Sequence, residues 1–173
     1  MSASFKRALW IVIIINAVMF VVEMTAGFAS SSQALKADAL DFLGDTVTYG
    51  LSLYVIGMSV VWRARAALFK GASLAVMGLW VMGSTIYYSL HNSAPQAEIM
   101  SSIGALALVA NLISVGILLK YRDGDSNVRS VWLCSRNDAI GNVAVILAAG
   151  GVWTTGTAWP DLIVAGIMAS LFL

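Results

Sequence analysis

Apolar residues run along this chain in six long stretches, at about 8–29, 33–62, 71–90, 97–120, 129–153 and 158–173. Polar residues are confined to short breaks between them: SSSQ at 30–33, RAR at 63–65, HNSAPQ at 91–96, YRDGDSN at 121–127 and TTGT at 154–157. About 20 apolar residues in a helix cross the ~30 Å hydrocarbon core of a bilayer, so the pattern predicts six membrane-spanning helices joined by short loops. The fold class expected is an all-α membrane bundle. A soluble helical bundle is excluded by the length of the uninterrupted apolar runs.

Composition sharpens this reading. The 173 residues are 60% hydrophobic and 11% charged, with a mean hydropathy of +0.86. A soluble domain is typically about 45–50% apolar and 25% charged. At roughly 20–25 residues per crossing, the chain has room for one transmembrane domain over residues 1–173 and nothing else. Lys6 and Arg7 followed by an apolar run have the look of a signal peptide. That run is too long and carries Glu23, so a retained first span is expected. The net charge of +1 and the scatter of basic residues through loops give no case for nucleic acid. A single cysteine, Cys134, excludes an intrachain disulfide.

The basic residues orient the bundle. Lys6, Arg7, Arg63, Arg65, Lys70, Lys120, Arg122 and Arg129 fall on one side of an alternating topology, and of the loop cations only Lys36 falls on the other. The positive-inside rule then puts both termini in the cytoplasm of a multi-pass protein of the inner or plasma membrane.

Against this apolar background the acidic residues stand out, above all in Ala37–Asp45, ADALDFLGD. Asp41 and Asp45 are four apart, hence about 40° apart on one helix face. They lie about 12–18 Å from a helix start near Gln33, close to mid-membrane. A carboxylate there costs roughly 2.5–3.5 kcal/mol on insertion scales and normally marks an ion or proton pathway. Asp38 is nearer the outer end and is expected at a solvated or cavity-edge position. Glu23 and Asp161, near the outer ends of helices 1 and 6, are expected at a wetted interface or along a pathway.

Helix 5 repeats the logic of helix 2. Cys134 and Asp138, in CSRNDAIGNV, again share a face at four-residue spacing. The two helices run in opposite directions, so side by side they bring Asp41 level with Asp138 and Asp45 level with Cys134. Three carboxylates and one sulfur suit a tetrahedral divalent metal ion. As a lone cysteine, Cys134 would otherwise be a small buried hydrophobe. Arg136 points away from the face its neighbours share. It either snorkels or pairs to no functional end, or it bonds a carboxylate and tunes the site.

With these residues in place the sequence resembles the cation diffusion facilitator family of metal/proton antiporters. ADALDFLGD resembles the family's second-helix motif and CSRNDAIGNVAV its fifth-helix HxxxD motif, with Cys134 where histidine is usual. Asn16, Glu23 and Gly27 match its first-helix N-x6-E-x3-G run, Asn111 an asparagine of the fourth helix, and Trp159-Pro160-Asp161 the start of the sixth. The resemblance implies a six-helix bundle of that type, a transporter and not an enzyme. It implies Asp41, Asp45, Cys134 and Asp138 as ligands of a divalent substrate cation exported against protons, and a homodimer. Asp38, Glu23, Arg136, Asp161 and Asn111 are candidate pathway or tuning residues.

Zinc or cadmium suits the sulfur. Manganese, cobalt or iron is expected if Cys134 faces away. The family's His-rich loop is replaced by YRDGDSN, and its cytoplasmic C-terminal metal-binding domain has no counterpart, which leaves a non-transporting metal-binding or scaffolding protein as one alternative. A proton-coupled carrier of another substrate is a second. Gly71 and Ala75 form a small-xxx-small pair of the kind found at close helix contacts.

Overall fold

The structure, a computed structural model, describes residues 3–54, 60–91, 94–123 and 126–172. Among the described residues all regular structure is helical: α1 Ala3–Ser30, α2 Gln33–Tyr54, α3 Val60–His91, α4 Ala97–Leu118, α5 Ser126–Thr155 and α6 Trp159–Phe172. A single 3-10 turn, Leu119–Tyr121, follows α4. Three of these stretches, Ala3–Ser30, Ala97–Tyr121 and Val131–Thr155, are long and apolar enough to cross a membrane. Helix α2, with 22 residues, is about 33 Å long at 1.5 Å per residue, also a membrane's depth. Its apolarity is diluted by Lys36, Asp38, Asp41 and Asp45, which it turns inward.

The largest departure from the expected pattern concerns α3. The break RAR at 63–65 lies inside this helix, which begins at Val60 and takes in residues 60–62 of the expected second span. Arginine and alanine are strong helix formers and nothing between Val60 and Gly71 breaks a helix, so charge alone marks no boundary. Residues 55–59 of the expected second span, 92–93 and 124–125 of two expected breaks, and Leu173 lie outside the described residues.

Helices α1, α2, α4 and α5 form a core, with α1 against α2 and α4, α4 against α5, and α2 completing the set against α5. Helices α3 and α6 pack on each other and lean on this core. Two glycines mark close approaches between core helices. A Cβ on Gly27 would lie 2.8 Å from Lys36 Cγ and 3.1 Å from Lys36 N, so α1 crosses α2 backbone to backbone. A Cβ on Gly104 would lie 3.2 Å from Ile146 Cγ1, where α4 meets α5.

The distribution of polarity is inverted relative to a water-soluble bundle. Trp10, Ile14, Val18 and Val21 of α1, Val109 and Leu112 of α4, and Ile163 and Ile167 of α6 are exposed. Asn16, Glu23, Asp38, Asn111 and Asn142 are buried. An apolar exterior around a polar interior is stable only where the surroundings are hydrocarbon.

Candidate metal site

Three of the core helices each contribute a polar stripe. On α2 it runs Asp38, Asp41, Asp45 and Tyr49, at offsets of three, four and four. On α5 it runs Cys134, Asp138 and Asn142, at offsets of four, and on α1 Asn16 and Glu23 lie seven apart. Such offsets keep side chains on one face, and the bundle turns all three faces toward one another.

The stripes meet in a belt of hydrogen bonds. Asp41 of α2 and Asp138 of α5 lie side by side. Asp138 also lies close to Asp45 and Cys134. Asn16 Nδ2 donates to Asp45 Oδ2 at 3.4 Å. Tyr49, 1% exposed, lies beside Asp45 and donates its hydroxyl to the Val131 carbonyl at 3.4 Å. One turn and more along α2, Asn142 Nδ2 donates to Asp38 Oδ2 at 2.6 Å, and Asn111 Nδ2 donates to Asn142 Oδ1 at 2.8 Å. Glu23 lies against Asp38 with no solvent exposure.

Apolar packing closes the belt at both ends. Toward the chain's N-terminus, Phe5, Leu9, Val12, Ile13, Leu118 and Val131 pack around Tyr49, and Cys134 packs against this cluster. Toward the other end, Leu35, Leu40, Met100, Val145, Val152 and Met168 form the second seal. The carboxylates and the thiol are gathered in one region without being closed on a point. Among the described residues no three acidic, thiol or imidazole groups stand ready spaced for a metal ion.

Several expectations about depth are corrected. Glu23 and Asp161 are not at a wetted interface, being 0% and 1% exposed. Asp38 is not open to solvent, at 1% exposed and bonded by Asn142. Asp161 instead caps α2 from α6. Its oxygens accept from Ser32 Oγ at 2.6 Å, Gln33 N at 2.8 Å and Ala34 N at 3.1 Å, while Ser32 Oγ accepts from Leu35 N at 3.0 Å. A helix N-terminus carries unsatisfied N–H groups and partial positive charge, and one carboxylate answers both. Lys36, expected in an outer loop, is buried with its ammonium 4.5 Å from the Phe28 ring and 4.8 Å from that of Tyr88.

Arg136 lies apart from the hydrogen-bonded belt. It is exposed, stacks over Trp132 at 5.5 Å, bonds Asn137 Oδ1 and makes no ion pair among the described residues. Gly71 is exposed, with open space where its Cβ would be, so it marks no close contact within the chain.

The sequence reading missed Asn142 and Tyr49. Each extends a stripe already identified by one further turn, Asn142 beyond Asp138 and Tyr49 beyond Asp45. A search of the same faces for any polar side chain would have found both.

Comparison with known proteins was made at this point. Residues 9–173 match the family model for the cation efflux transmembrane domain. The chain is 29% identical over 172 residues to the metal cation efflux system protein CzcD of Cupriavidus metallidurans, covering 92% of this chain and 54% of that protein. It is 26% identical over 182 residues to the cadmium, cobalt and zinc/H(+)-K(+) antiporter of Bacillus subtilis, covering 97% and 58%. It is 27% identical over 172 residues to the zinc transporter ZitB of Escherichia coli, covering 92% and 55%. The chain thus spans a little over half the length of these relatives. With three apolar helices of spanning length, it is an integral membrane protein. It belongs to the cation diffusion facilitator family, whose cation efflux transmembrane domain occupies residues 9–173.

Proposed function

We propose that this chain carries a divalent transition-metal cation, zinc or cadmium first, out of the cytoplasm in exchange for protons. The observation that carries the reading is the approach of Asp41 and Asp45 of α2 to Asp138 of α5, with Cys134 one turn along the same face. Carboxylates crowded together in a low dielectric oppose one another's ionisation, so protons and a metal ion compete for Asp41, Asp45, Cys134 and Asp138. A divalent cation favours the ionised forms of all four groups, so metal entry expels protons and protonation expels metal. Alternation of the two apolar seals would turn that competition into antiport.

The names of the relatives, a metal efflux protein, a cadmium, cobalt and zinc antiporter and a zinc transporter, support the same substrate class. The loop cations support cytoplasmic termini and export. Family membership favours a homodimer. The packing of Cys134 against the apolar cluster favours a second reading of the substrate alone. If the sulfur stays in that cluster, the site is all carboxylate and suits manganese, cobalt or iron.

The test is metal flux into proteoliposomes with and without a pH gradient. Antiport predicts flux that the gradient drives and that Asp138→Asn removes. Stoichiometric binding without flux would identify a non-transporting metal-binding protein. Proton-coupled flux of another solute without metal dependence would identify a different carrier.

A further inference from the structure

The three buried asparagines of the belt are used differently. Asn142 is engaged through both amide atoms, donating to Asp38 and accepting from Asn111. Asn16, 1% exposed, donates to Asp45 over 3.4 Å, at the long limit of a hydrogen bond. Its Oδ1 is buried with no hydrogen-bond partner among the described residues. An orphaned acceptor beside a carboxylate is a standing cost, and native interiors rarely leave one without a further task.

We propose that Asn16 is a further ligand and selectivity residue of the α2–α5 site, its amide turning over to give Oδ1 to a cation held by Asp45. The inference rests on the metal-site reading above. In the empty site only the amide N–H groups can face the Asp45 carboxylate. A divalent ion on Asp45 reverses the local field, repelling the N–H groups and attracting the oxygen. The motion is a rotation about the terminal torsion of asparagine, whose energy profile is broad. It breaks only a long bond. Ile13 and Met19, buried on either side along α1, hold the backbone while the amide turns.

The consequence is chemical. A neutral amide oxygen adds a fifth donor without adding charge, and it is a hard one of the kind that suits manganese and cobalt. Asn16 therefore broadens the site toward harder ions, opposing the preference of the Cys134 sulfur for softer ones.

The test uses the full chain in nanodiscs, with Co2+ as a spectroscopic probe and Mn2+ and Cd2+ in binding competition. Asn16→Leu keeps the volume and removes both polar atoms. Asn16→Asp keeps an oxygen and removes the donor, and tests the proposal even if the leucine variant does not fold. Five-coordinate Co2+ absorbs more weakly in the visible than four-coordinate Co2+. The leucine variant is expected to absorb more strongly than wild type. It should lose about 10–100-fold in Mn2+ affinity while Cd2+ affinity changes by less than about threefold. The aspartate variant is expected to keep the weak five-coordinate band. An unchanged spectrum and Mn2+/Cd2+ ratio in the leucine variant would overturn the proposal. So would an aspartate variant with the strong four-coordinate band, because the donor alone would then matter. Asp138→Asn separates this from the underlying site. If that variant binds Co2+ normally, the α2–α5 site is wrong and the Asn16 proposal falls with it. If it loses Co2+ while the leucine variant matches wild type, Asn16 alone is excluded.

Discussion

Asp138 lies beside Asp41 and Asp45 of α2 and one turn from Cys134 on its own helix. Asp138→Asn is expected to abolish metal flux in proteoliposomes while leaving the empty protein folded, because an amide relieves repulsion among crowded carboxylates. A fall in Tm of more than about 4 °C, roughly 1 kcal/mol for a chain of this size, would make the residue structural instead. Cys134→Ser is expected to weaken cadmium binding more than manganese binding, and Cys134→His to restore zinc transport with less cadmium preference. Equal cadmium-to-manganese ratios in wild type and Cys134→Ser would assign the sulfur to packing. That Asp41 and Asp45 share one face of α2, and Cys134 and Asp138 one face of α5, was legible in the sequence because four-residue spacing fixes a shared face whatever the surroundings. The surroundings of Glu23, Asp38 and Asp161 were not. Their depth was judged from distance to a helix end, whereas burial depends on which helix packs over them. Asp38 is covered because Asn142, 104 positions away, reaches it from α5.

Asp161 belongs at the scale of elements, since one carboxylate in the first turn of α6 serves the N-terminus of α2. Asp161→Ala is expected to cost about 2 kcal/mol, combining loss of a helix cap with loss of charge-assisted hydrogen bonds. Hydrogen exchange should locate that loss, with the Gln33 and Ala34 amides losing protection and the α4 amides unchanged. Uniform loss across all helices would mean that Asp161 holds the whole fold and not this junction. Gly27→Ala puts a methyl against the Lys36 backbone and is expected to cost about 1–3 kcal/mol by overpacking. Helix identity was largely readable from the apolar runs, and α4 begins at residue 97 as expected. The start of α3 was not, because Arg65 stacks on Trp62 at 5.2 Å within the helix instead of ending it. Helix pairing was not readable either, since a periodic apolar face shows that a helix is covered but not by which neighbour.

Across the whole molecule, the apolar seals stand at opposite ends of one polar belt, and the seal around Tyr49 joins the ends of α1, α2, α4 and α5 nearest the chain's N-terminus. If that end faces the cytoplasm, a cysteine placed at Asn127 in a Cys134→Ser background reacts with a membrane-impermeant maleimide only from the cytoplasmic side. Reaction from outside would reverse the topology and the direction of transport. On the proposed function, metal binding in the belt is a proton-release reaction, and its sign follows from the groups present. Any carboxyl proton held by Asp41, Asp45 or Asp138 must leave for all three to ligate, and the Cys134 thiol must lose its own to bind as thiolate. Protons are products of binding, so metal affinity rises with pH, by about tenfold per pH unit for each proton fully released. Cadmium titrations between pH 6 and 8 should therefore show a steeper rise for wild type than for Cys134→Ser, by up to one proton per ion. Calorimetry in buffers of different ionisation enthalpy counts those protons directly. A proton count of zero in wild type would leave metal binding without a link to the proton gradient, and antiport through this belt would have to be abandoned.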